Sequence, residues 1–270
     1  MTFLRLLTIE TRKTLRHPAL GLGLGALLFL LTMFIWVDHA QIARGYEEAT
    51  GGLERDLLTG LAFFNWMGVL VYAVTASVIA AFDYPDRSIQ LWLNRGVPRT
   101  TLLSARTITI LFFGLLMIFF TVAALLGLGT LSRIVFFGAV DASNLNLSAL
   151  PLAILRVFWG SVPYLALTVL FAVLGRSPLF AAGGTIVYGS VVEILALQAG
   201  NRFATLVRYL PGTLTRVLQT SNETLDRTAP QLPVDAAIMP EARAILLIGI
   251  LFIAISIASF AIFSRQDLGG

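Results

Sequence analysis

Residues 83–106 carry four arginines, Arg87, Arg95, Arg99 and Arg106, on a short amphipathic stretch between two apolar runs of membrane length. Cations interleaved with Ile89, Leu91, Trp92 and Leu93 suit attachment to a partner's groove or to a lipid surface, not bond-making chemistry. Arg156 and Glu193 each fall inside an apolar run, where an ionisable side chain is costly enough to mark function by default. They suit a polar element lining a substrate path, a structural ion pair, or snorkelling to the interface.

Other chemistries lack residues. The absence of cysteine excludes disulfides, thiolate metal sites and cysteine nucleophiles. His17 and His39 are the two histidines; both flank apolar spans and read as solvated surface residues, so neither a histidine metal site nor a Ser/His/Asp set is expected. No Gly-x-x-x-x-Gly-Lys-Ser/Thr occurs, and Lys13 is the single lysine, so any nucleotide hydrolysis belongs to another chain. Gly21-Leu22-Gly23-Leu24-Gly25 lies within a span with no strand before it, and reads as a helix-packing surface.

These residues must be positioned by membrane helices. The 270 residues are 57% hydrophobic and 13% charged, with mean hydropathy +0.84, far from a soluble domain. Net charge is +4, but the basic residues are dispersed rather than gathered in a stripe, which argues against nucleic-acid binding. A hydrocarbon core of ~30 Å needs about 20 apolar residues in a helix. Runs of that length cover 19–37, 60–82, 107–131, 150–174, 179–198 and 244–263, so six spans are expected, with both termini on one side. The first run is longer than a signal-peptide core and no small-x-small site follows it, so it reads as a retained anchor.

Arginine bias in the short loops sets the orientation. Arg5, Arg12, Lys13, Arg16, the arginines of 83–106, Arg176 and Arg265 fall on one side, expected to be the cytoplasm. The acidic loop 38–59 is expected outside. Residues 1–18 mix leucines and cations near helical period and end at Pro18, as an interfacial helix would. Residues 199–243 form an external loop with short amphipathic helices around Pro211-Gly212, followed by a polar stretch expected to be loop. At ~1.5 Å per residue, Arg156 and Glu193 both lie roughly 8–9 Å below the external ends of their spans, and could pair. Pro163 beside Tyr164 is expected to kink the fourth span.

An acid closing span two, a polar stretch, an apolar helix, Pro98-Arg99, and a basic residue at the mouth of span three make a pattern that resembles the membrane subunits of type-2 ABC exporters. The family pattern has Gly-Thr where this chain has Arg87-Ser88. The resemblance extends to the layout of the whole chain, but only 83–106 approaches a motif. It implies an all-α six-span permease forming a single transmembrane domain over 1–270, in which 83–106 is the coupling helix docked on a separate ATPase. The docking residues it implies are Asp83, Asp86, Arg87, Ile89 and Trp92, followed by Arg95, Pro98, Arg99 and Arg106. Glu193 and Arg156 are the substrate-path candidates.

The resemblance further implies a homodimer with two ATPase copies in the inner (plasma) membrane. ATP and magnesium would be bound by the ATPase, and this chain would hold no cofactor and be no enzyme. A non-transporting membrane assembly protein is the alternative from a different class, and a secondary transporter is disfavoured by the absence of repeats.

Overall fold

The computed structural model describes residues 3–45, 52–84, 88–198, 207–226 and 239–266. Among these, all regular structure is helical; the one β-type pairing is an isolated bridge between Leu145 and Asp226. The elements are α1 (Phe3–Arg16), α2 (Pro18–Ala43), α3 (Leu53–Phe63), α4 (Val69–Ala81), α5 (Ser88–Asn94), α6 (Arg99–Phe137) and α7 (Leu150–Gly175). They continue as α8 (Pro178–Val187), α9 (Glu193–Gln198), α10 (Pro211–Thr220) and α11 (Glu241–Arg265). Five helical stretches are long and apolar enough to cross a membrane, and α3 with α4 makes a sixth if that bent pair is one span. The protein is therefore an all-α protein of multi-pass membrane type.

Two of the expected spans carry a wide turn. A π-helical turn, Phe64–Gly68, joins α3 to α4, and the pair is bent by 48°. A second, Tyr188–Val192, joins α8 to α9. Such turns insert a residue into the helical ladder and are frequent at functional sites.

Helices α4, α6 and α7 form the middle of the bundle, with α2 on α6, α8 on α4 and α7, and α11 on α7. The outward sides of α2, α8 and α11 remain apolar and uncovered, with Leu22, Phe29, Leu179 and Ile257 all exposed. Without water beside them, apolar side chains there are satisfied by lipid, while the helical ladder satisfies the backbone. Close approach in the core depends on small residues. A Cβ on Gly114 of α6 would overlap the Tyr72 hydroxyl of α4.

Several helices overrun the apolar lengths read from sequence. The third run, expected over 107–131, is the middle of a 39-residue helix ending at Gly138, whose φ of 73° is the left-handed cap. At 1.5 Å per residue it is about 58 Å long, so polar turns project beyond a ~30 Å core at each end. The first run continues from Val37 to Ala43. Pro163 lies inside α7 without ending it.

Contacts define two ends of the bundle. Lys13, Asp83, Arg106, Arg99 and residues 263–266 meet at one end, hereafter the terminal face. Asp56, Arg133, Glu193, Gly212, Arg156 and Glu241 meet towards the other, the opposite face.

Candidate functional site

At the terminal face, chain reversal after α4 brings Asp83 beneath α1 and α6. Its buried carboxylate accepts from Lys13 Nζ and from Arg106, whose second terminal nitrogen donates to the Ala80 carbonyl at 3.1 Å. Lys13 also lies over the Phe82 ring, 3.6 Å from its centroid. Arg106 is 2% exposed. A buried charge of this kind is tolerable because it is paired and both its terminal nitrogens donate, although Nε is left without a partner.

Helix α1 departs from the expected two-faced form. Leu6, Glu10 and Thr14, spaced by four, make a buried third face against α6, while Leu4 and Leu15 stay exposed beside the cations. Glu10 is 1% exposed and neither carboxylate oxygen has a hydrogen-bond partner. Burial pushes its pKa up, opposed by Arg106 and reinforced by Asp83. For an acid raised in this way, stability is full below its ordinary pKa of 4.5 and is lost as pH rises through the raised value. Glu10→Met is accordingly expected to raise the thermal midpoint in detergent at pH 7.5, with the gain vanishing towards pH 4.5. A midpoint lowered at both pH values would contradict this account.

Helix α5 is held from beneath. Ile89 is buried, Trp92 and Leu93 pack on the core, and Gly96, with φ of 76°, turns the chain so that Val97 N donates to the Trp92 carbonyl at 3.2 Å. Pro98 then caps α6. Arg99 donates to the carbonyls of Ser264 at 3.0 Å and Gln266 at 2.6 Å, closing the C-terminal end of α11. Leu91, 60% exposed, together with Asn94, Arg95, Gly96 and Pro98, faces outward. The Arg95 guanidinium sits 5.7 Å from the Trp92 ring. The docking set thus divides. Arg95 and Pro98 are outward, Trp92 is half-buried, and Asp83, Ile89, Arg99 and Arg106 are engaged within this chain. Asp86 and Arg87 lie outside the described residues.

At the opposite face Arg156 and Glu193, which the sequence allowed to pair, bond to other partners. Arg156 Nε donates to Glu241 at 2.7 Å and a terminal nitrogen donates to the Ser221 carbonyl at 2.7 Å, tying α7 to α11 and to the 3₁₀ turn Ser221–Leu225. That turn, with Asn222 buried, replaces the start of the expected polar loop. The first amphipathic stretch of that loop lies largely outside the described residues. Pro211-Gly212, around which short amphipathic helices were expected, begins α10, proline being suited to the first helical turn.

Glu193 faces α10. Its Oε2 accepts from the Tyr164 hydroxyl at 2.8 Å and its Oε1 from Gly212 N at 3.1 Å. The carboxylate therefore caps a helix from another element, where the dipole favours negative charge. A Cβ at 212 would displace that carboxylate from its place on the helix. These groups border a cavity of about 440 Å³ between α4, α7, α8 and α10. Both π turns contribute to its wall, through Asn65, Trp66 and Met67 on one side and Gly189 and Ser190 on the other.

His39 is a correction. Read as solvated, it is buried, with Nδ1 2.7 Å from Ser132 Oγ and Nε2 3.1 Å from Asp56 Oδ1. Ser132, His39 and Asp56 thus form a hydrogen-bonded set of a kind the sequence did not lead us to expect. Asp56 also takes two bonds from Arg133, at 2.6 and 2.7 Å, which occupies the carboxylate that would orient a base. Ser132 is 1% exposed, so its hydroxyl is closed to substrate. The cluster acts as a lock between α2, α3 and α6, extended by the Arg133 bond to the Gly52 carbonyl at 2.7 Å.

Sequence reasoning missed Glu10, Asn65, Tyr164 as a partner of Glu193, and the Asp56–Arg133 pair. Glu10 had a signal, being four residues from both Leu6 and Thr14 on one helical stripe. Comparison with known proteins gave no match, either to a family model or to a curated protein sequence.

Proposed function

We propose that this chain is the membrane subunit of an ATP-driven exporter, with six spans, both termini cytoplasmic, and 83–106 as the segment that receives force from a separate ATPase. The observation that carries the reading is α5. It is anchored on its inner side by Ile89 and Trp92, yet it presents Leu91 and Arg95 outward at the end of the bundle that holds the Lys13–Asp83 pair and the last turn of α11. An apolar residue beside an arginine stacked on tryptophan is hot-spot chemistry for a partner groove. No nucleotide-binding motif occurs in the chain, so ATP and magnesium belong to that partner.

A push on α5 would pass through Pro98 and Arg99 into α6, a single helix that reaches the Asp56–Arg133 lock. It would pass through Asp83 and Arg106 into α1 and the end of α4. Two such subunits with two ATPases would shift between two arrangements, with the cavity at Glu193 as the substrate path; this is a rigid-element transition of an ordinary kind. In this reading the terminal face lies in the cytoplasm of a cell with an inner (plasma) membrane.

The test uses Leu91→Ala with Arg95→Glu, both exposed and so separable from folding. Purified from its native membrane, the parent chain is expected to bring down an ATPase bearing Walker motifs, and the double variant to lose about tenfold of it, the scale of one hot spot. Absence of any such ATPase with the parent chain would favour the non-transporting assembly protein.

A further inference from the structure

Glu193 and Arg216 both line the cavity, and neither has an ion-pair partner among the described residues. Elsewhere Asp83, Asp56 and Arg156 are matched in this structure. Gly212, which bonds Glu193, and Arg216 are four residues apart on α10, one helical turn or about 6 Å. The α10 dipole supplies the equivalent of about half a positive charge at the carboxylate, so the ionised carboxylate keeps a net negative charge that a bound cation would balance. Each carboxylate oxygen has accepted one bond and can accept another.

Met67, Leu70 and Ile186 give the wall an apolar stretch, interrupted by the polar Thr185, Ser190, Thr215 and Gln219, and Trp66 is 65% exposed. Asn65 reaches the same cavity with both its amide nitrogen and its oxygen buried and without hydrogen-bond partners. Such a group is left unmatched at a cost unless a ligand serves it.

We infer that the cavity takes a zwitterionic amphiphile, its ammonium on Glu193, its anionic group on Arg216, and its apolar body along Trp66, Met67, Leu70 and Ile186. A buried carboxylate on Gly212 and an exposed arginine one turn further along α10 select a head carrying both signs, and the apolar stretch of the wall selects a chain. The volume suits a head with the first part of one chain rather than a complete two-chain lipid. This ligand is a transport substrate only if the exporter reading holds; its binding does not depend on that reading.

The experiment measures binding of single-chain phosphatidylethanolamine to the purified chain in maltoside micelles. Single-chain phosphatidylglycerol, which lacks the amine, and a long-chain alkylamine, which lacks the phosphate, serve as comparisons. The zwitterion is expected to bind about tenfold more tightly than either, the scale of one charge-assisted contact. Glu193→Gln should weaken the zwitterion and the alkylamine about tenfold and leave the glycerol lipid unchanged, while Arg216→Gln should weaken the zwitterion and the glycerol lipid. Ala62→Trp, placed at an exposed position on the cavity wall, should abolish zwitterion binding at an unchanged thermal midpoint. Equal affinity for all three ligands, or affinity unaffected by Glu193→Gln and Ala62→Trp, would overturn the assignment. No ATPase is present in this measurement, so its failure is distinct from failure to recover an ATPase partner.

Discussion

Arg106→Met is expected to destabilise the protein by about 3 kcal/mol, measured as thermal or denaturant unfolding in detergent. Removing one member of a buried pair leaves the other charge without its counter-ion, at about 3–5 kcal/mol. Lys13 still reaches Asp83, which places the effect at the lower end of that range. Lys13→Met should cost about 1 kcal/mol, because that side chain is 37% exposed and its pairing is screened by water. The double variant Asp83→Leu with Arg106→Met should recover much of the loss, since both charges leave together. A parental midpoint for Arg106→Met would show that the pair does not hold α4 to α6.

Asp56→Ala is expected to have the second large effect, again about 3–5 kcal/mol. Three donors lose their acceptor at once, two from Arg133 and one from His39, if the imidazole carries its proton on Nε2. Ser132 then donates to Nδ1, so the loss should spread to α2 through His39. Asp56→Asn keeps one acceptor oxygen and should cost less. Hydrogen exchange locates the effect. Faster exchange is expected in residues 53–60 and 132–137, with the segments around Lys13, Asp83 and Arg106 unchanged. Uniform loosening of the whole bundle would show that the lock is not local.

The helical class and the places of the spans were readable because they follow from quantities that add along the chain. Twenty apolar residues in a helix match a bilayer whatever their neighbours are. The exceptions lie at helix ends. His39 read as solvated because its helix was ended at Val37, where hydropathy falls. The helix instead continues to Ala43, because Asp56 and Ser132 supply partners for the ring. The same holds for Arg133, two residues beyond the apolar run read in α6.

Arg156 and Glu193 mark the limit most clearly. Their depth is a count at 1.5 Å per residue, and the structure places both towards the opposite face, as the sequence indicated. Their partners depend on azimuth, which advances by 100° per residue and is set by the packing of α7 against α4, α8, α10 and α11 together. Depth alone therefore left them as a possible pair, whereas packing directs one to Glu241 and the other to Tyr164 and Gly212. The 83–106 segment shows the same division. Composition alone determined that it is amphipathic, cationic and located between spans. Only the tertiary structure decided that Asp83, Arg99 and Arg106 are used within the bundle while Leu91 and Arg95 are left facing outward, because burial belongs to surfaces that meet and not to residues taken in order.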